Sequence, residues 1–541
     1  MKLKLFRMLY CLPALITWQC AAIGPPSGGA KDITPPELLS VDPPSGTVRL
    51  MSPEIILSFS EYMDEKSVEK GIRVAPVLTG ELEIKFKGEK VIIILPDDIR
   101  NDITVVITLS REIKDEHGVE LSKSIQLAYS LGDKIDNGSI SGNVVADRPA
   151  ALYLFHDDGS DTLLLSSPNY ISEAGDDGSF AFNYLAPGSY QILAIDRGVS
   201  GAKLDPFRMA YGVSSFSNII LDSMQTGIHL KLHQEDKPLR LLRGEWRDWN
   251  WGQIYFNNEL SHKISFSNLK IGSKNLDWFI HPDNQSAVVV IIKDSLNSSK
   301  ESISFSSIQL DDLMVLDSSK VNVTIPSISD TNSLTFTKPG SNISITPDKT
   351  GPKVEFIFSR PVGEDIINNH AVSLLLNDSI DVVIDKNITT PMSMTVVPQD
   401  GWKAKSSYTL KIFKSDSGEV KNTFKDSVTT IKISTNRELG YGGLLGSVMG
   451  ISENFVAEIN HVENSQWKFK SVVNSAGHFE FFEVPEGKYT ISLFEDKDKN
   501  FSYTFGKAFP FQPSEWFYES SDSIEIRANW DIEISPIYLE R

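Results

Sequence analysis

The stretch Asp176-Asp177-Gly178-Ser179-Phe180-Ala181-Phe182-Asn183-Tyr184-Leu185-Ala186-Pro187-Gly188-Ser189-Tyr190-Gln191-Ile192 decides the fold. Asp177-Gly178 makes a tight hairpin turn. Phe180 and Phe182 alternate toward one side, Pro187-Gly188 makes the next turn, and Tyr190 and Ile192 begin a second inward-facing set. The same order returns near the end of the chain, in Ser475-Ala476-Gly477-His478-Phe479-Glu480-Phe481-Phe482-Glu483-Val484-Pro485-Glu486-Gly487-Lys488-Tyr489-Thr490-Ile491. The opening Gly138-Ser139-Ile140-Ser141-Gly142-Asn143-Val144 is likewise mirrored by Gly443-Leu444-Leu445-Gly446-Ser447-Val448. The chain therefore carries two copies of one β-unit, which predicts a duplicated sandwich.

Working outward, the remaining segments read as strands too. Ile55, Leu57 and Phe59 alternate within Glu54–Ser60, and β-branched runs follow at Val91–Leu95 and Ile103–Leu109. Later runs at 253–257, 260–266, 286–292, 353–358, 392–398 and 407–412 have the same character, and no helical run exceeds about ten residues beyond the first twenty. The expected fold class is all-β, about five tandem β-sandwiches in a row.

The repeated unit resembles the transthyretin-like or carboxypeptidase-regulatory-like sandwich. Residues 34–132 resemble a bacterial Ig-like domain of the surface-layer type, through Pro43-Pro44-Ser45-Gly46, Phe59-Ser60-Glu61-Tyr62-Met63-Asp64 and Asp115-Glu116-His117-Gly118. Expected boundaries are 34–132 (Ig-like), 133–235 (transthyretin-like), 236–335 and 336–437 (degenerate Ig-like) and 438–541 (the transthyretin-like repeat). Glu61 and Asp64 read as solvated turn carboxylates, because no base, nucleophile or metal partner is spaced to match them.

Residues 1–19 read as a signal peptide: Lys2, Lys4 and Arg7 precede an apolar run of about ten residues, too short to span a bilayer. Cys20 follows, then a Gly/Pro/Ser-rich tether over 20–33. This arrangement resembles the lipoprotein signal of Bacteroidetes-type bacteria and implies lipidation at Cys20. The three positions before Cys20 are Thr17, Trp18 and Gln19, where that pattern has Leu and then small residues. Cys11 falls inside the removed segment, which leaves Cys20 no disulfide partner. The resemblance implies lipid anchoring to the outer membrane, with the periplasmic or cell-surface face undecided.

The formal net charge is −19 over 541 residues, and loss of the three leader cations makes it more negative. That argues against a nucleic-acid partner. Hydrophobic content of 40% with 10% aromatics is that of a globular chain.

Four candidate sites follow. Asp496, Asp498 and Asn500 stand at alternate positions of one loop, either a polar hairpin loop or a structural Ca²⁺ site. It is not an EF-hand, since Phe501 and Lys507 occupy that motif's sixth and twelfth positions, where Gly and Glu are required. Trp246, Trp249, Trp251 and Tyr255 form an aromatic cluster that could bind a glycan or a partner protein, or serve as core. His156, His229, His233 and His262 have no ligand spacing. Thr162, Ser223, Ser295, Ser379, Ser427 and Ser523 each follow Asp and precede an apolar residue, resembling the short O-glycosylation signal of exported Bacteroidetes proteins. No nucleophile elbow, phosphate-binding Gly loop, His-Glu-x-x-His or Cys-x-x-Cys occurs. The expectation is a non-enzymatic outer-membrane lipoprotein, a scaffold or docking arm whose partners are outer-membrane or surface proteins. A surface adhesin or glycan-binding lipoprotein and an accessory subunit of an exported hydrolase are the alternatives.

Overall fold

The computed structural model describes residues 32–76, 80, 82–96, 103–199, 201–297, 299–310, 313–414, 423–450 and 454–539. Cys20 and the leader lie outside the described residues. Among the described residues the chain is all-β, a tandem series of small paired sheets with two short α-helices, Glu65–Gly71 and Glu364–Asn369. No helix among them is long and apolar enough to cross a membrane. The chain divides into two compact units.

Of the described residues, the first unit holds those up to 139 together with 169–173 and 182–187. One sheet runs Leu38–Asp42, Glu54–Phe59, Lys90–Ile94, Glu83–Lys87, and a second runs Ile72–Ala75, Thr104–Leu109, Ile125–Ser130. The alternation read from the sequence holds, for Ile55, Leu57, Phe59, Val91 and Ile93 all lie in the core with Ile107 and Tyr129. Thr104–Leu109 is buried along its whole length. At its end the buried Glu173 accepts from Ser110 Oγ (2.5 Å) and Arg111 N (3.0 Å). Asp64 is not a bare turn carboxylate: it caps helix Glu65–Gly71 and accepts from Ser67 N.

The second unit holds the later copy of the repeated unit and the larger part of the earlier one, whose residues 169–173 and 182–187 are assigned to the first unit. In the earlier copy Ala150–His156 pairs antiparallel with Gly188–Asp196, placing Tyr190 opposite His156. In the later copy Phe455–His461 pairs with Gly487–Glu495, placing Tyr489 opposite His461. Phe180, Phe182, Tyr190 and Ile192 are buried, as are Phe479, Phe481, Tyr489 and Ile491. Gly178 (φ +79°) is required twice over, since a Cβ there would also stand 2.4 Å from Val144 O.

Between the copies lie two further paired-sheet bodies. Leu241–Trp246, Trp251–Phe256, Asn284–Ile291 and Asp277–His281 form one sheet, and Ile264–Ser267, Lys300–Leu310 and Leu313–Thr324 belong to another. The expected strand 260–266 starts only at Ile264, after a turn at His262-Lys263. The hairpin of Lys300–Leu310 with Leu313–Thr324 was not anticipated; Leu313–Thr324 exposes most of its side chains, and a register shift at Ile308/Gln309 interrupts the alternation begun by Ile303 and Phe305. The second body is built on Phe356, Tyr408, Leu410 and Ile431.

The two repeat copies touch. Ser514 N donates to Ser214 O (3.0 Å), Ala508 N donates to Tyr211 Oη (3.2 Å), and Lys231 pairs with Glu519 (3.0 Å). His233 stacks on Phe505 at 4.3 Å, and Val145 packs with Val456, Phe494 and Phe517. Gly506 (φ +75°) admits this approach, because a Cβ would stand 2.7 Å from Val213 Cγ2. Segments far apart in sequence are thus joined within one unit, which a string of modules in sequence order would not require.

Candidate functional site

The loop 496–504 is built by its own carboxylates. It leaves strand Gly487–Glu495 and returns toward Trp516, to whose carbonyl Glu495 N is bonded (2.9 Å). Asp496 Oδ1 accepts from Asn500 N (3.0 Å) and Oδ2 from Phe501 N (3.1 Å). Asp498 Oδ1 accepts from Asn500 N (3.1 Å), and Oδ2 from Asn500 Nδ2 and Thr504 Oγ1 (both 2.8 Å). Lys499 and Phe501 hold φ of +58° and +60°, left-handed values that cost a non-glycine residue about 1 kcal/mol each. Charge-assisted bonds from backbone N–H groups offset that cost.

Glu515 completes the group and had no signal in the sequence. It lies beyond the hairpin Lys507–Ala508/Phe511–Gln512, is 4% exposed, and accepts from Lys497 N (2.7 Å) and Thr504 N (3.0 Å). Burial pushes its carboxyl above the ordinary range. Ligand oxygens of Asp496, Asp498 and Glu515 lie within 4.8 Å of one another. Asn500 turns its amide nitrogen to Asp498 and its carbonyl to Ser502 N (2.6 Å). A Ca²⁺ here would be held by Asp496, Asp498 and Glu515 rather than by the triplet 496, 498 and 500. Each of those six oxygens accepts an N–H or O–H from the loop or its flanks.

The aromatic cluster is split by strand alternation. Trp246, 6% exposed, joins Ile254 and Phe256 in the core of its sandwich. Trp251, 9% exposed, faces the other way and packs with Val289 and Met392. It also lines a cleft of about 460 Å³ with Pro361, Ile388 and Pro391. Trp249 is 39% exposed, and its indole N–H donates to Pro326 O (3.2 Å). Tyr255 receives the Arg243 guanidinium over its ring at 3.9 Å. The four aromatics therefore do not make one open platform.

His229 lies in strand Met224–Lys231 and His233 just beyond its end, and both face the later repeat copy: His229 stands edge-on to Trp516 at 5.7 Å and His233 stacks on Phe505. Burial pushes both imidazoles below their ordinary value, opposed at His233 by the charges of Glu235 and Asp236. His156 pairs with Tyr190 at 4.7 Å, as His461 does with Tyr489 at 5.0 Å, an extension of the repeat that the sequence reading missed. Thr162, Ser223, Ser295, Ser379, Ser427 and Ser523 are all exposed, the first five in turns, bends or loops and Ser523 within strand Phe517–Ile526.

Residues 32–130 match the bacterial Ig-like domain family. No curated protein matches the chain. Among solved structures it is similar to the Bacillus anthracis TIE protein, at 12% identity over 95% of this chain and 76% of that one, with a TM-score of 0.14. It is similar to BcpA, the major pilin subunit of Bacillus cereus, at 12% identity over 75% and 99%, with a TM-score of 0.14. A third is the Bacteroides ovatus mixed-linkage glucan utilization locus protein SGBP-B, in complex with a mixed-linkage heptasaccharide, at 10% identity over 64% and 85%, with a TM-score of 0.18. At such TM-scores these likenesses carry no argument about function.

Proposed function

We propose that the chain is a non-enzymatic cell-envelope protein, a lipid-anchored scaffold that presents β-sandwich surfaces to outer-membrane or surface proteins. The observation that supports it is the docking of the two repeat copies, through Tyr211, His233, Phe505 and Ser514. Joining modules far apart in sequence ties the two copies to each other, which suits a part that positions partners. In this reading Cys20 carries the lipid, and the six exposed hydroxyls are O-glycan acceptors. The test is a mild-detergent pulldown of the tagged chain beside Cys20→Ala. A defined set of outer-membrane proteins should copurify with the native chain and be lost with the variant. The same partners recovered with both forms, or none with either, would remove the anchored-scaffold reading. Intact mass of the exported chain should show glycan increments that fall as the six hydroxyls are replaced by Ala.

A glycan-binding reading rests on the cleft beside Trp251. Retention on polysaccharide columns that Trp251→Ala leaves unchanged would dismiss it.

A further inference from the structure

Asp32, Glu61, Asp115 and His117 come together in the first sandwich, with one ligand atom of each within 4.8 Å of the other three. Backbone pairing builds the group. Met63 bridges Asp115, Asp64 N donates to Lys114 O (2.9 Å), and Glu116 N donates to Tyr62 O (3.0 Å). This lays the segment after strand Glu54–Phe59 along the turn 114–118, so Glu61 meets Asp115. Asp115 is 1% exposed; its Oδ1 accepts from Val119 N (2.9 Å), while its Oδ2 is buried with no hydrogen-bond partner. Asp32 Oδ1 accepts from Thr34 N (3.0 Å), and its Oδ2 lies 3.8 Å from His117 Nδ1. Among the described residues no Lys or Arg pairs with the three carboxylates.

Burying a carboxylate oxygen with no donor is costly, and two more carboxylates beside it raise the cost. Either a proton shared between Glu61 and Asp115 or a cation relieves it. The spacing suits a cation, since two ligand atoms on opposite sides of an ion at about 2.0–2.6 Å stand about 4–5 Å apart. Three carboxylates with one imidazole suit Zn²⁺ or Mn²⁺; Ca²⁺ and Mg²⁺ favour oxygen alone.

We propose that Asp32, Glu61, Asp115 and His117 form a divalent-cation site of the Zn²⁺ or Mn²⁺ class. Its ligands come from three separate segments, so an ion would fasten the chain at Asp32, just after the lipid anchor, to the turn and to the strand exit of the first sandwich.

The test uses the full chain in detergent, stripped with chelator. It is titrated calorimetrically with Zn²⁺, Mn²⁺ and Ca²⁺, and bound Mn²⁺ is followed by paramagnetic resonance. Asp115 is buried and its replacement endangers folding, so the variants are Glu61→Gln and His117→Ala, with melting in EDTA to verify that each is folded. Asp498→Asn controls for the C-terminal loop. The expected result is one Zn²⁺ or Mn²⁺ equivalent that each of the two variants weakens at least about tenfold and Asp498→Asn leaves in place. The proposal is overturned if the native chain binds no cation, as the shared proton requires, or if Glu61→Gln binds as the native chain does. Binding of Ca²⁺ alone, indifferent to His117→Ala, overturns it too.

Discussion

Two groups of carboxylates in this chain share an outline and differ in their hydrogen bonds. Around the loop 496–504, each oxygen of Asp496, Asp498 and Glu515 accepts at least one N–H or O–H. In the first sandwich, Asp115 Oδ2 is buried and accepts none. Both groups bring ligand oxygens within 4.8 Å of one another. Proximity alone therefore does not separate a structural carboxylate knot from a cation site; the state of each oxygen does. A buried carboxylate oxygen that accepts N–H groups has part of its desolvation cost offset, whereas one that accepts none calls for another compensating charge.

The largest effect that tests this contrast is Asp496→Ala. The change removes two backbone N–H bonds to a buried charged acceptor and leaves the left-handed Lys499 and Phe501 unsupported. We expect a loss of about 2–4 kcal/mol, read by denaturant melting of the second unit. It should be the same in EDTA and in excess Ca²⁺. A loss that appears only with Ca²⁺ present would move this loop into the class of the Asp115 group and erase the contrast.

The next effect runs the other way. Adding Zn²⁺ or Mn²⁺ to the stripped native chain should raise the unfolding free energy of the first unit, by about 2.7 kcal/mol at one hundred times the dissociation constant. Glu61→Gln should lose that increment. Differential scanning calorimetry that shows equal metal-induced shifts in both chains would place the stabilisation elsewhere.

The two groups also differ in how far they could be read in advance. The alternation of Phe180 and Phe182 and its return at Phe479 and Phe481 announced the sandwiches, because β-structure writes its period of two into adjacent residues. Asp496, Asp498 and Asn500 were visible for the same reason, being contiguous. Glu515 was not, since a hairpin intervenes before the chain returns. Asp32, Glu61, Asp115 and His117 sit on three segments, brought together by long-range pairing such as the bridge of Met63 to Asp115. Glu61 and Asp64 looked alike in sequence; one joins that group, the other caps a helix. The contact between repeat copies was equally hidden, because Tyr211, His233 and Phe505 lie on strand ends and loops whose local pattern says only that they are aromatic.

That contact supplies the smallest and most specific effect, in which a proton takes the cation's place. His233 stacks on Phe505, its Nδ1 is buried without a partner, and burial holds its imidazole below the ordinary 6.5, as it does His229. Above that value both folded and unfolded chains are neutral at these rings, and stability is flat. Below it the unfolded chain takes up protons that the folded chain resists, so stability falls as pH drops from 6.5 through the lowered folded values. Glu235 and Asp236 limit the fall at His233 without reversing it. His233→Phe keeps the stack on Phe505 and removes the titrating ring. The melting temperature of the second unit should then decline less between pH 7.5 and 5.5 than in the native chain, with or without metal. Parallel declines in the two chains would show that the ring is not charged against the interface. The acid sensitivity of the docked copies would then rest on His229, whose buried ring faces Trp516.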